Sequence, residues 1–145
     1  MLTFTGIKRS VRRGMGMKFR LFLMLFFISV LHAELPPSAY ESMQAKAPEY
    51  FKLEILRVDV EPGETPTQQK VHLVALVTEV IRTASGAKPN EIINILYTIT
   101  EHPKGWVGPG PVPIPSEKER TVAYLSKTGA GDFEPAAGRM SFTNF

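Results

Sequence analysis

Across residues 51–60, apolar side chains first fall on alternate positions, Phe51, Leu53 and Ile55, and then on the opposite set, Leu56, Val58 and Val60. A period of two marks a half-buried strand, and a slip of phase inside it predicts a bulge or bend. Residues 70–82 are apolar on both sets in their middle, where Leu73, Val74, Ala75, Leu76 and Val77 are consecutive. Such a run predicts a strand covered on both faces over part of its length, as one that bends around a barrel is. Residues 91–100 put Ile93, Ile95, Tyr97 and Ile99 on one face and Ile92, Asn94, Leu96 and Thr98 on the other. Residues 119–127 set Val122 and Tyr124 against Ala123 and Leu125, and "RMSFTNF" ends the chain with Met140 and Phe142 on one face.

The stretches between these runs, "EPGETPTQQ", "TASGAKPN" and "TGAGDFEPAAG", are rich in the residues that turns require. Ahead of them, "ELPPSAYESMQAKAPEYF" predicts one short helix over residues 39–46. Ser38 and Glu41 have the spacing of a capping box, Pro48 stops the helix, and Tyr40 and Met43 share the face that docks. The chain contains no internal repeat. The expected fold is mainly β: a small five-stranded barrel over residues 51–145, preceded by a segment, 34–50, that holds the short helix.

Residues 1–33 are unlike the rest. Lys8, Arg9, Arg12, Arg13, Lys18 and Arg20 stand there without an acid, followed by an apolar run over 21–31 and the small residue Ala33. That order is the pattern of a secretory signal peptide, and "MKFRLFLMLFFISVLHA" is already a complete one, so translation from Met15 or Met17 would serve as well. The apolar run falls short of the ~20 residues a spanning helix needs, so membrane contact is expected only through the leader before cleavage. The expected location is the periplasm or the extracellular space. With the leader removed, eleven basic residues face fourteen acidic ones, a net of −3. No basic field remains to hold nucleic acid. The chain has no cysteine, which excludes disulfides, a lipidated Cys, Cys-ligated metal and thiol catalysis, and suits a bacterial exported protein.

The runs "VHLVALVTEVIRTASG", "IINILYTI", "RTVAYLSK" and "FEPAAGRMSF" together resemble the strand order of OB-like barrels, netrin-like domains and tissue inhibitors of metalloproteinases in particular. The resemblance implies a barrel that works by binding another macromolecule rather than by catalysis. Those inhibitors reach the protease metal through an N-terminal cysteine. This chain has none, so the mechanism and its residues do not carry over.

Candidate chemistry is sparse. A metal site built on His72 and His102 would need Asp59, Glu79, Glu101 or Asp132 to converge on them, and nothing in the spacing asks for that. Ser85, Ser116, Ser126 and Ser141 lie in no nucleophile elbow, and Asp132 with Glu134 reads as a pair of solvated loop acids. No cofactor and no metal are expected. One segment stands apart: "HPKGWVGPGPVPIP" concentrates five of the twelve prolines and the only tryptophan, Trp106, between two strands. Either Trp106, Val107, Val112 and Ile114 plug a barrel end, the reading slightly favoured, or the prolines form a rail that displays Trp106 to a partner.

The expected binding patch joins Trp106 to Phe133, Glu134 and Arg139 of "GDFEPAAGRMSF". The expected function is a small exported non-enzymatic binding or accessory module with a protein or carbohydrate partner. A purely structural envelope protein is the alternative, and a small hydrolase with an unrecognised site is the less favoured third.

Overall fold

The computed structural model describes residues 34–144. The expected signal peptide therefore lies outside the described residues. A helix, α1 (Pro37–Lys46), is followed by β1 (Glu49–Pro62), β2 (Gln68–Arg82), β3 (Ile92–Thr100), β4 (Arg120–Lys127) and β5 (Phe133–Pro135). A 3-10 turn, Gly138–Met140, then leads to the short β6 (Phe142–Thr143). Strands β1 to β5 close into a ring in the order β1-β2-β3-β5-β4, with β4 returning to β1, and β6 lies outside it on β4. The β3–β5 contact is parallel and the other pairings are antiparallel, so the fold is the expected OB-like barrel.

The phase slip in β1 is a break of register. Ile55 faces Ala75 and Arg57 faces Val74, which leaves Leu56 as the extra residue of a bulge. Before the bulge Phe51, Leu53 and Ile55 point into the core at zero exposure; after it Val58 does the inward packing and Leu56 is exposed. The bend lets the first half of β1 pair with β2 and β4 at once, and β1–β4 pairing ends at Glu54 and Arg120. Inside the ring Leu73, Ala75 and Val77 of β2 meet Ile93 and Ile95 of β3 and Ala123 and Leu125 of β4. On the outer face of β2, Val74 and Leu76 are only half-buried, so the two-sided burial expected for this run is partial.

Two expectations fail for stereochemical reasons. The helix starts two residues earlier than the capping box suggested, with Pro36 as N-cap and no side-chain cap bond. A proline at the first helical position presets φ and lacks the N–H that a cap would satisfy, so Pro37 replaces the Ser38 cap. Tyr40 docks and is buried, whereas Met43 stays exposed at 36%. The helix is held instead by Gln44, whose Nε2 donates to Met140 O at 2.9 Å and whose carbonyl accepts from Arg82 at 2.7 Å.

The second concerns the last strand. The run "RMSFTNF" is not one continuous strand; the fifth ring strand is the three-residue Phe133–Pro135. Gly138 takes a positive φ of 53°, and the buried Ser141 hydroxyl donates to Gly138 O at 2.7 Å and accepts from Ala137 N–H at 2.9 Å. These bonds curl residues 137–141 into a turn where an extended chain was expected.

Ile95 is fully buried at the one register position that joins β3 to β5. Ile95→Ala is expected to cost about 2–5 kcal/mol in urea unfolding, because the ring cannot collapse around the cavity without losing that bridge.

Candidate functional site

The β3–β4 connection, residues 101–119, is a long loop whose two halves behave differently. In the second half Val112 and Ile114 pack on the barrel core and Pro115 is buried. The Tyr97 hydroxyl donates to Pro113 O at 2.8 Å, and burial pushes this phenol well above its ordinary range. Where the loop meets β1, Lys118 N–H donates to Ile55 O and Ile55 N–H donates to Glu119 O. Prolines with preset φ suit such a segment, since it crosses from β3 to β1 without joining a ladder.

The first half stands out from the body. Glu101 anchors its root, donating its N–H to Thr67 O at 2.8 Å and accepting from Gln69 Nε2 at 3.2 Å. At the tip the Trp106 indole lies parallel to the His102 imidazole, 4.3 Å between centroids and 12° between planes. Its Nε1 donates to Pro109 O at 3.2 Å. Gly108 is required there, because a Cβ at that position would overlap the indole ring. Trp106 is nevertheless 48% exposed, and Val107 beside it 53%. The two readings of the loop therefore divide along it: Val112 and Ile114 plug, and Trp106 with Val107 does not.

Of the four residues expected to share a patch, one is buried. Phe133 is a core residue at 2% exposure, edge-to-face with Phe51 at 5.9 Å, so its ring is not offered to a partner. Glu134, next along the same short strand, points outward and accepts from Ser126 Oγ at 3.3 Å. Arg139 forms an ion pair with Glu34 at 2.5 Å and lies over the Tyr40 ring at 5.5 Å. The proline loop passes close to Arg139 at Gly110, where a Cβ would lie in van der Waals contact with the arginine Cδ. No hydrogen bond, ion pair or ring contact joins Trp106 to the other three among the described residues.

A second surface is formed only by the strand registers and not by closeness in sequence. The outward residues of β1 after the bulge, Arg57, Asp59 and Glu61, meet Lys70 and His72 of β2 and Leu96 of β3 along an open groove of about 820 Å³. Arg57 Nε donates to Asp59 Oδ2 at 2.7 Å. His72 lies between acceptors, with Nδ1 3.8 Å from the same carboxylate oxygen and Nε2 2.8 Å from Asn94 Oδ1. The signal was present as "RVDVE" beside "KVH", two alternating polar sets, but only the register shows that they face each other. His102 belongs to the Trp106 stack and Glu79 to an ion pair with Lys52 at 2.6 Å. Among the described residues no three His, Asp or Glu side chains gather as metal ligands.

Elsewhere on the barrel wall Tyr50 and Tyr124 stack across β1 and β4 at 4.6 Å. Burial, helped by the hydrogen-bonded Tyr50 hydroxyl and opposed by the Arg82 charge, raises Tyr124 to about 12.

Fold and site together define a closed OB-like barrel that carries a half-exposed tryptophan on a proline-rich loop. No protein-family model, curated protein or solved structure matches the chain.

Two measurements probe the loop. Above pH ~10 the unfolded Tyr97 phenol gives up a proton that the folded one keeps, so its share of stability is full below that pH and lost as the pH rises further. Tyr97→Phe is expected to flatten the fall in urea midpoint between about pH 9 and 11 and to cost ~1 kcal/mol at neutral pH; an unchanged alkaline slope would contradict the buried phenol. Gly108→Ala should displace the indole, giving a red-shifted emission and stronger acrylamide quenching, with an unfolding midpoint close to the parent's.

Proposed function

We propose that this protein is a small exported, non-enzymatic binding module that works in the periplasm or outside the cell, with Trp106 as the anchor for a protein partner. The observation that carries this reading is the state of that one side chain. Its ring is oriented by His102, Pro109 and Gly108, yet about half of it faces solvent. An aromatic already held in place loses little conformational entropy on binding, and tryptophan is among the residues that dominate binding energy at interfaces. The second half of the loop supports the display by binding the barrel through Tyr97 and Ile55.

The neighbours of the indole favour protein over carbohydrate. Val107, Pro109 and Pro111 are exposed and apolar, and one indole face is already occupied by His102. A sugar would want a free ring face flanked by polar side chains, whereas a hydrophobic notch on a protein surface would accept Trp106 and Val107 together. The net charge of −3 after the leader argues against a nucleic-acid partner.

The test places a photo-crosslinking residue at Val107 and compares adducts formed in the producing cells with and without Trp106→Ala. A discrete protein adduct that falls at least about thirty-fold on loss of the indole is the expected result. An adduct that survives the substitution, or a Trp106 emission that responds to oligosaccharides alone, would overturn the reading.

A further inference from the structure

The bend that closes the barrel leaves one sheet edge unpaired. Pairing of β1 with β4 stops at Glu54, and the loop residues 118 and 119 take the backbone groups of Ile55. Beyond the bulge, residues 57–61 pair with β2 on one side only. On the open side Val58 N–H meets a side chain, Glu117 Oε1, at a long 3.4 Å, and no strand follows among the described residues. Val60 is 45% exposed and Leu56 42%. Edges of this kind are templates for another strand unless blocked, and a single glutamate side chain is a removable block.

We propose that this edge pairs with the same edge of a second copy of the chain, as an antiparallel β1–β1 ladder about a two-fold axis at Asp59. Three observations select this occupant and register. The backbone groups of Val58 and Val60 face the open side, so Val58 of one copy and Val60 of the other exchange hydrogen bonds, about four in all. The same pairing covers the exposed Val60 with Val58 on the core-facing side. On the groove side Arg57 of each copy stands opposite Glu61 of the other, giving oppositely charged cross-strand pairs on both sides of the axis.

Neighbouring registers fit less well. An axis at Val60 sets Asp59 against Glu61 on both sides, two like-charge pairs. An axis at Val58 brings the second strand opposite Ile55, whose edge the loop already occupies. At Asp59 the one unfavourable pair is the two Asp59 carboxylates. Each already has Arg57 at 2.7 Å and His72 at 3.8 Å within its own copy. Pro62, which has no N–H to donate, ends the ladder.

A ladder this short predicts a weak, concentration-dependent dimer rather than a permanent one. Light scattering and sedimentation of the purified protein from about 1 μM to 1 mM should show reversible dimerisation. Arg57→Glu and Glu61→Arg, made singly, each set like charges across the axis and are expected to weaken the dimer at least ten-fold or so. The double exchange restores opposite charges and should recover the parent constant within about three-fold. Asp59→Asn removes the repulsion at the axis and should tighten the dimer. Monomer throughout the range, a dimer indifferent to the single reversals, or singles not rescued by the double exchange would each overturn the proposal. Stoichiometric capture of an unrelated extended peptide by the edge, with no self-association, would overturn it in favour of a different occupant.

Discussion

The structure depends on one of the three register breaks between β1 and β2, the bulge at Leu56. A five-stranded ring of short strands closes only if one strand can face two neighbours that diverge, and β1 does this by bending. The residues before the bend belong to the ring, with Phe51, Leu53 and Ile55 fully buried and Tyr50 to Glu54 paired on both edges. Those after it belong to a sheet extension that pairs with β2 alone. Had the alternation of Phe51, Leu53 and Ile55 continued in phase, position 57 would face the core, and position 57 is an arginine. The extra residue returns Val58 inward and keeps Arg57, Asp59 and Glu61 in water.

That division explains the long loop between β3 and β4. Past the bend β1 no longer has β4 beside it, and the core-facing side chains of the extension, Val58, Tyr97 and Ile99, would be open to solvent. A strand laid there would have to form a ladder with the open edge of β1 or β3, and among the described residues the chain places none on either. A proline-rich chain needs none, since its prolines bring no N–H groups to satisfy, and it lays Val112 and Ile114 on the core with one side-chain hydrogen bond from Tyr97. Covering the gap takes only the second half of the loop. The first half, fixed at Glu101 and by the Trp106–His102 stack, remains outside.

Local pattern made some of this readable from the sequence alone. The strands of the ring longer than a few residues, the phase slip and the helix stop at Pro48 all follow from neighbours within about ten residues, where period and turn chemistry act. Phe133–Pro135 did not announce itself, because three residues carry no period and Pro135 argues against a strand. The groove formed by Arg57, Asp59, His72 and Asn94 was equally hidden. Its members are adjacent only through the β1–β2 and β2–β3 registers, which sequence spacing does not specify. The Trp106 loop stands out by composition, but whether its apolar residues plug or protrude depends on how far the chain must travel from β3 to β1.

The unpaired edge of β1 and the displayed indole have a common origin in this geometry. A barrel whose first strand stayed paired with β4 along its whole length would have no gap for the loop to cover and no edge beyond Glu54. Bending the strand opens both, and the loop then closes the core side of the gap while leaving the backbone side of the edge to the Glu117 side chain. Core closure is the stronger requirement, because exposed Val58, Tyr97 and Ile99 would lose their burial, whereas an edge of five residues leaves only a few backbone groups to water. The chain therefore commits its rigid prolines to the core and leaves its hydrogen-bonding edge to a single flexible glutamate. The edge and Trp106 are consequently two parts of the surface that the same bend leaves open.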